Sequence, residues 1–190
     1  MIHLILHQTQ ATQQYGSSWV TDQTDQIFYF LRGQLHKYYY QLQINDNKNM
    51  FLAEIKQAST GIIPRFKIQA GQKKIGSFGL ALPMHEIIYI QRINWIVLAH
   101  PKKREYFIFH GKKLLLHGYL NNKKQLQMDI HQTSDQALLV LLTAFLDRYQ
   151  QTILPLSLPQ KFKLNYHQRS FNPAFNPQFK NNYQTKIRRR

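Results

Sequence analysis

Short stretches in which apolar and polar residues alternate run from the first residues to Ile130, and turn formers separate most of them. Phe66-Lys67-Ile68-Gln69 and Leu126-Gln127-Met128-Asp129-Ile130 repeat with period two. One face of such a segment packs on a core while the other meets water, as in antiparallel strands. The opening run Met1-Ile2-His3-Leu4-Ile5-Leu6-His7 alternates in the same way. With it, aromatic and β-branched runs at residues 18–21, 26–31, 37–44, 50–57, 65–69, 74–80, 86–90, 94–99, 105–109, 113–119 and 125–130 predict about twelve strands. Residues 8–17 are polar, include Gly16 and read as a loop. Asp22-Gln23-Thr24-Asp25, Asn45-Asp46-Asn47-Lys48-Asn49, Ala70-Gly71-Gln72-Lys73, Pro101-Lys102-Lys103-Arg104 and Asn121-Asn122-Lys123-Lys124 supply hairpin tips.

The period then changes. Ala137-Leu138-Leu139-Val140-Leu141-Leu142-Thr143-Ala144-Phe145-Leu146 lacks Gly and Pro, and on a helix it is apolar on every face except at Thr143. Thr133 and Gln136 stand at capping-box spacing ahead of it, which predicts a helix near residues 134–150. A helix apolar all round must be buried all round, yet this run spans roughly 15 Å, half a bilayer, so its walls must be protein. The predicted fold is mainly β, a closed antiparallel β-barrel of about twelve strands around one central hydrophobic C-terminal α-helix. It takes up residues 1–154, and closure removes the open edges that so many strands would otherwise expose. An internal echo fits a repetitive sheet. Phe66 to Lys73 and Tyr106 to Lys113 share an aromatic, an Ile two residues on, and Gly-x-Lys at the turn.

Past Thr152 the composition shifts. Pro155, Pro159, Pro173 and Pro177 lie in a stretch with no acidic residue, and residues 155–190 read as a basic tail, disordered or loosely packed. Over all 190 residues the formal charge is +16, which attracts polyanions, whether nucleic acid or an anionic lipid surface. The absence of cysteine excludes disulfides, thiolate chemistry and Cys-ligated metals, and fits a reducing compartment. The N-terminus reads as a strand and not as an export signal, and no apolar run is long enough for a transmembrane segment. The expected location is cytoplasmic, with a peripheral place at the membrane.

Several elements in order, namely Asp46, Ala53-Glu54-Ile55-Lys56-Gln57, Arg65-Phe66-Lys67-Ile68, Ile93-Asn94-Trp95-Ile96-Val97, Tyr106-Phe107-Ile108 and Ala144-Phe145-Leu146-Asp147-Arg148, resemble the LURP-one-related proteins of the tubby C-terminal-like superfamily. Phospholipid scramblases are similar to that group. The resemblance covers roughly residues 15 to 150 and implies a barrel of about twelve strands threaded by a hydrophobic C-terminal helix. Tubby proteins bind phosphoinositide headgroups through basic residues of the barrel surface, so the resemblance also implies an anionic lipid partner. No motif here places those residues one by one. Scramblases carry a palmitoylated cysteine-rich segment, which a chain without cysteine cannot supply.

Catalytic and metal chemistry find little support. His100, His110 and His117 lie on or beside neighbouring predicted strands, but no carboxylate joins them at ligand spacing. The Asn45 to Asn49 loop opens like a calcium loop, yet Gly is missing at its sixth place and Lys56 stands where a bidentate Glu belongs. Gly-x-Ser-x-Gly is absent, and Gly71-Gln72-Lys73-Lys74-Ile75-Gly76 lacks the spacing of a phosphate loop. Asp147 is the acid expected to be drawn toward the core, paired with Arg148. No catalytic residue, metal or cofactor is assigned.

Cations are the better candidates. Lys102, Lys103, Arg104, Lys112, Lys113, Lys123 and Lys124 fall at or beside hairpin tips, and tips gathered at one end would form a cationic rim for phosphate-bearing partners. Alternatively, lysines at tips protect edges and keep the protein soluble. In the tail, Lys161, Lys163, Arg169, Lys180, Arg188, Arg189 and Arg190 interleave with Phe162, Tyr166, Phe171, Phe175, Phe179 and Tyr183. Such a pattern suits stacking on single-stranded nucleic acid, anchoring in a lipid interface, or packing across the barrel. The expected function is a non-catalytic binding or adaptor module recognising anionic lipid headgroups. The alternatives are a nucleic-acid-binding protein using the tail, and an enzyme or purely structural domain.

Overall fold

A computed structural model describes residues 1–8, 15–36, 39–59, 63–80, 86–131 and 134–153. The tail, and with it every tail cation named above, lies outside the described residues, as does Thr133 of the proposed capping box. Twelve strands precede one helix: β1 Ile2–Gln8, β2 Tyr15–Thr21, β3 Ile27–His36, β4 Tyr39–Asp46, β5 Phe51–Ser59, β6 Arg65–Ala70, β7 Lys73–Gly79, β8 Ile87–Ile90, β9 Trp95–His100, β10 Glu105–His110, β11 Lys113–Leu120, β12 Leu126–Ile130 and α1 Gln136–Ile153. All pairings are antiparallel, in the order β7-β6-β5-β4-β3-β2-β1-β12-β11-β10-β9-β8. The sheet comes round on itself where the Gln91 amide donates to the Ser77 carbonyl at 2.9 Å, the seam between β7 and the end of β8.

Inside this shell lies α1. Leu139, Val140, Leu141, Leu142, Thr143, Ala144, Phe145, Leu146 and Asp147 are all buried, so nine consecutive residues face protein on every side of the helix. The shell supplies Leu4, Val20, Ile44, Ile55, Phe66, Val97, Ile108, Leu116 and Met128 as its inward-facing half. The polar exception explains itself, because the Thr143 hydroxyl donates to the Leu139 carbonyl one turn back at 2.8 Å. Against β4 to β7 the packing is aromatic. Phe66 meets Phe145 edge-on at 5.0 Å and Tyr149 at 5.5 Å, and Tyr40 meets Tyr149 at 5.2 Å.

Two departures from the sequence pattern have local causes. The stretch read as a loop at residues 8–17 gives way to β2 at Tyr15, and β3 runs on through Gly33 to His36. A Cβ at Gly33 would sit 2.7 Å from both the Gln41 carbonyl oxygen and Leu42 Cδ1, so here glycine permits a close strand approach instead of ending a strand. The internal echo is structural as well. Gly71 and Gly111 both turn at φ +58, and the register shifts at Ile68/Gln69 and at Ile108/Phe109, so the two hairpins share one bulged geometry.

Burial moves the tyrosines of the core. The Tyr40 phenol is pushed up to about 12 from 10.0, and Tyr106 and Tyr149 move further in the same direction, burial being the first cause in each case. The folded state favours the neutral phenols, so their contribution to stability is whole below pH 10; that of Tyr40 is lost as pH rises through 12, and those of Tyr106 and Tyr149 only at higher pH. We expect phenolate absorbance to show a fast class of exposed tyrosines, with Tyr40, Tyr106 and Tyr149 titrating only as the protein unfolds. Complete and reversible ionisation near pH 10 in the folded state would contradict their burial.

Candidate functional site

In a meander, successive tips alternate between the two ends of the barrel, and this sorts the candidate cations. The helix ends beside β1, β4 and β10, at the mouth that also carries the tips 101–104 and 121–125. Call this the exit end. Lys102, Lys103, Lys123 and Lys124 are exposed there. Lys112 and Lys113 are exposed on the β10–β11 tip at the opposite, entry end. The seven tip cations therefore do not form a single rim, because a strand's length separates neighbouring tips.

The two exit tips that carry these lysines are closed by hydrogen bonds: at 101–104 the amides of Lys103 and Arg104 donate to the carbonyls of His100 and Pro101 at 3.0 and 3.2 Å. At 121–125 the Asn121 side-chain oxygen accepts from the amides of Lys123 and Gln125, both at 2.9 Å, and Lys124 turns at φ +59. Asp22 and Asp46 repeat this i, i+2, i+4 capping at entry tips, with Asp25 and Asn49 in the same left-handed position. Hydrogen bonds from Thr24 and the tip amides hold the Asp22 carboxyl below its usual range.

Arg104 has a different task from the lysines beside it. It turns at φ +52 and lays its guanidinium over the mouth, where Nε donates to Asp147 Oδ1 at 2.8 Å and Nη2 to Oδ2 at 2.7 Å. Asp147 is fully buried and takes three further donors: Tyr106 Oη at 3.0 Å, Gln151 Nε2 at 2.6 Å and Gln8 Nε2 at 3.3 Å. Asp147 is thus drawn into the core as expected, but its bidentate partner is Arg104, whereas the sequence reading paired it with Arg148. The Asp147 bond raises the Arg104 pKa against the opposing effect of burial. A carboxylate so saturated with donors has no lone pair left for a substrate proton, so the cluster acts as a latch between helix end and barrel wall.

Tyr106 has one hydroxyl proton but contacts both Asp147 and Gln150 Oε1, the latter at 2.9 Å. The single proton is shared between these two acceptors, the carboxylate being the stronger, and the buried Gln150 Nε2 has no hydrogen-bond partner.

The histidines split up. His117 contacts Glu105 at 3.2 Å and stacks on Phe107 at 4.4 Å, while His3 pairs with Asp129 at 2.7 Å across β1 and β12. Among the described residues no group of three or more His, Asp or Glu side chains could hold a metal ion.

Sequence reasoning missed an apolar outer face. Ile87, Tyr89 and Ile96 are 69%, 52% and 37% exposed, and register sets Ile87 opposite Leu98 and Tyr89 opposite Ile96. On β10 the half-buried Phe107 and Phe109 continue these two rows. The signal was there to read: Ile87-Ile88-Tyr89-Ile90 and Trp95-Ile96-Val97-Leu98 are apolar at both parities, where a strand with one wet face alternates.

The class this fold defines is a near-closed, twelve-stranded antiparallel barrel filled by one C-terminal helix. The chain is similar in structure to an Arabidopsis thaliana protein solved by X-ray crystallography. The match has a TM-score of 0.52 at 11% identity and covers 76% of this chain and 90% of that one, a likeness of fold alone. No family model and no curated protein matches the sequence. Among the described residues no helix is long and apolar enough to cross a membrane.

Proposed function

We propose that this protein is a non-catalytic binding or adaptor module that recognises anionic lipid headgroups. The observation that supports it most directly is the set of exposed tip lysines, Lys102, Lys103, Lys123 and Lys124, presented together on ordered turns at the exit end. Phosphate-bearing headgroups would meet ammonium groups whose backbone is already fixed, so little ordering opposes the contact. Basic residues near an anionic leaflet contribute about 1 kcal/mol each. Residues 155–190 add cations with no compensating acid.

Sedimentation with vesicles tests this. The protein should pellet with phosphatidylserine-containing vesicles and remain in solution with phosphatidylcholine alone. Replacing Lys102, Lys103, Lys123 and Lys124 together with Gln should weaken binding by roughly two to three powers of ten. Equal pelleting with both vesicle types removes the proposal. Salt-sensitive binding to single-stranded nucleic acid, lost on deleting residues 155–190, would transfer the function to the tail.

A further inference from the structure

Around the barrel, charge and apolar surface are distributed unevenly. The outer wall of β4 to β6 is polar, carrying Gln41, Gln43, Glu54, Lys56 and Lys67. The outer wall of β8 to β10 carries Ile87, Tyr89, Ile96, Leu98, Phe107 and Phe109. Cations bound this apolar wall at both ends. Lys102 and Lys103 sit on the exit tip of β9–β10, and Arg92, Lys112 and Lys113 sit on the entry tips of β8–β9 and β10–β11. Of the acids at the entry end, Asp22, Asp25 and Asp46 lie on the β2–β3 and β4–β5 tips on the other side of the ring, while Asp129, which pairs with His3, and Asp135 lie at the end of β12 and ahead of α1, outside the wall. Two acids touch the wall itself: Glu86 at its exit margin, and Glu105, whose carboxylate contacts His117.

We propose that the outer face of β8–β9–β10 is the surface by which this barrel lies side-on against an anionic bilayer. Ile87, Tyr89 and Ile96 then enter the interface, and the lysines of both ends reach headgroups. This rests on the lipid reading above and specifies which face carries it.

The choice of occupant follows from combining the two properties. A bilayer is apolar within and negative at its surface, and the six-residue β10 sets the two lysine pairs roughly 20 Å apart, with the apolar rows between them. A second copy of this chain would bring its own lysines against these. The tail has no acidic residue and repels the same margins. Nucleic acid supplies phosphates, and Tyr89, Phe107 and Phe109 have rings, but the two phenylalanines are half-buried and the aliphatic Ile87, Ile96 and Leu98 that share the wall gain nothing from base stacking, whereas acyl chains cover both kinds of side chain. The arrangement also accounts for Tyr89, whose ring is exposed while its hydroxyl donates to Asn94 at 2.6 Å, a ring with one apolar and one polar end, as at membrane interfaces.

The test places one tryptophan on each wall of the full-length protein, Tyr89→Trp on the apolar face and Gln43→Trp on the polar one, alongside the native Trp19 and Trp95 as background. With phosphatidylserine vesicles, the Tyr89→Trp signal should shift to the blue and be quenched by brominated acyl chains, while Gln43→Trp should match the wild type. Ile87→Thr and Tyr89→Thr keep residues suited to strands at exposed positions and should each weaken vesicle binding about tenfold, with unchanged melting. Lys112→Gln with Lys113→Gln should also weaken it, although these lysines are absent from the exit end.

If the wild-type protein ignores anionic vesicles, the lipid reading and this surface fall together. Should it bind while Tyr89→Trp stays unquenched and the Ile87 and Lys112/Lys113 variants bind normally, the lipid reading stands and this face is wrong. Self-association of the wild type that Ile87→Thr abolishes would give the face to a second copy and overturn the proposal.

Discussion

Leu142→Asp should leave the chain unable to fold cooperatively. Leu142 lies midway along α1, 1% exposed, with buried helix residues on either side and barrel wall around it. A carboxylate there would sit within the buried hydrophobic cluster, and removing a charge from water without a partner is among the few single changes worth more than about 4–5 kcal/mol. No rotation of the helix relieves it, since every face is apolar and enclosed. Circular dichroism and calorimetry on the purified variant would show loss of the thermal transition, with most of the protein insoluble. A soluble variant melting near the wild-type temperature would mean that Leu142 can reach water, and the central position of the helix would be wrong.

Asp147→Ala should have the next largest effect, lowering stability by roughly 3–5 kcal/mol, because it strands a half-buried guanidinium and three further donors that now converge on nothing. Arg104→Met alone should also destabilise, by leaving the buried carboxylate without its cation. Combining Arg104→Met with Asp147→Leu should recover a good part of both losses, since an apolar pair escapes the desolvation that the ion pair bears. Denaturant melts of the wild type, Arg104→Met, Asp147→Leu and the double variant form the cycle. Additive losses in the double variant would show that the two groups do not act as a pair.

The sequence made the shell and its filling legible for one reason: the hydrophobic period is two up to Ile130 and covers all faces from Ala137 onward, and burial alone dictates both patterns. Hairpin tips were legible too, because Asx residues announce turns at Asp22, Asp46 and Asn121. What could not be read was anything set by the third dimension. Arg104 looked like one more cation in a basic tip, and only the path of α1 through the barrel brings Asp147 beneath it. The tips looked like one rim because spacing along the chain does not say which end a tip occupies; the antiparallel order does. The strand predicted at 26–31 stopped short of Gly33, whose close approach to Gln41 and Leu42 depends on a partner strand that the sequence does not place.

The order of elements has a consequence for biogenesis. β1 pairs with β12, and the helix that fills the lumen comes after every strand. During synthesis the nascent sheet emerges with its inner face uncovered, the β1–β12 pairing waits for the last strand, and the lumen cannot be filled until the ribosome has released the last turn of α1. Those greasy strands are exposed for the whole of that interval, and contacts this distant along the polymer form slowly. Holding chaperones should therefore associate with nascent chains stalled after β12 and let go once α1 is threaded.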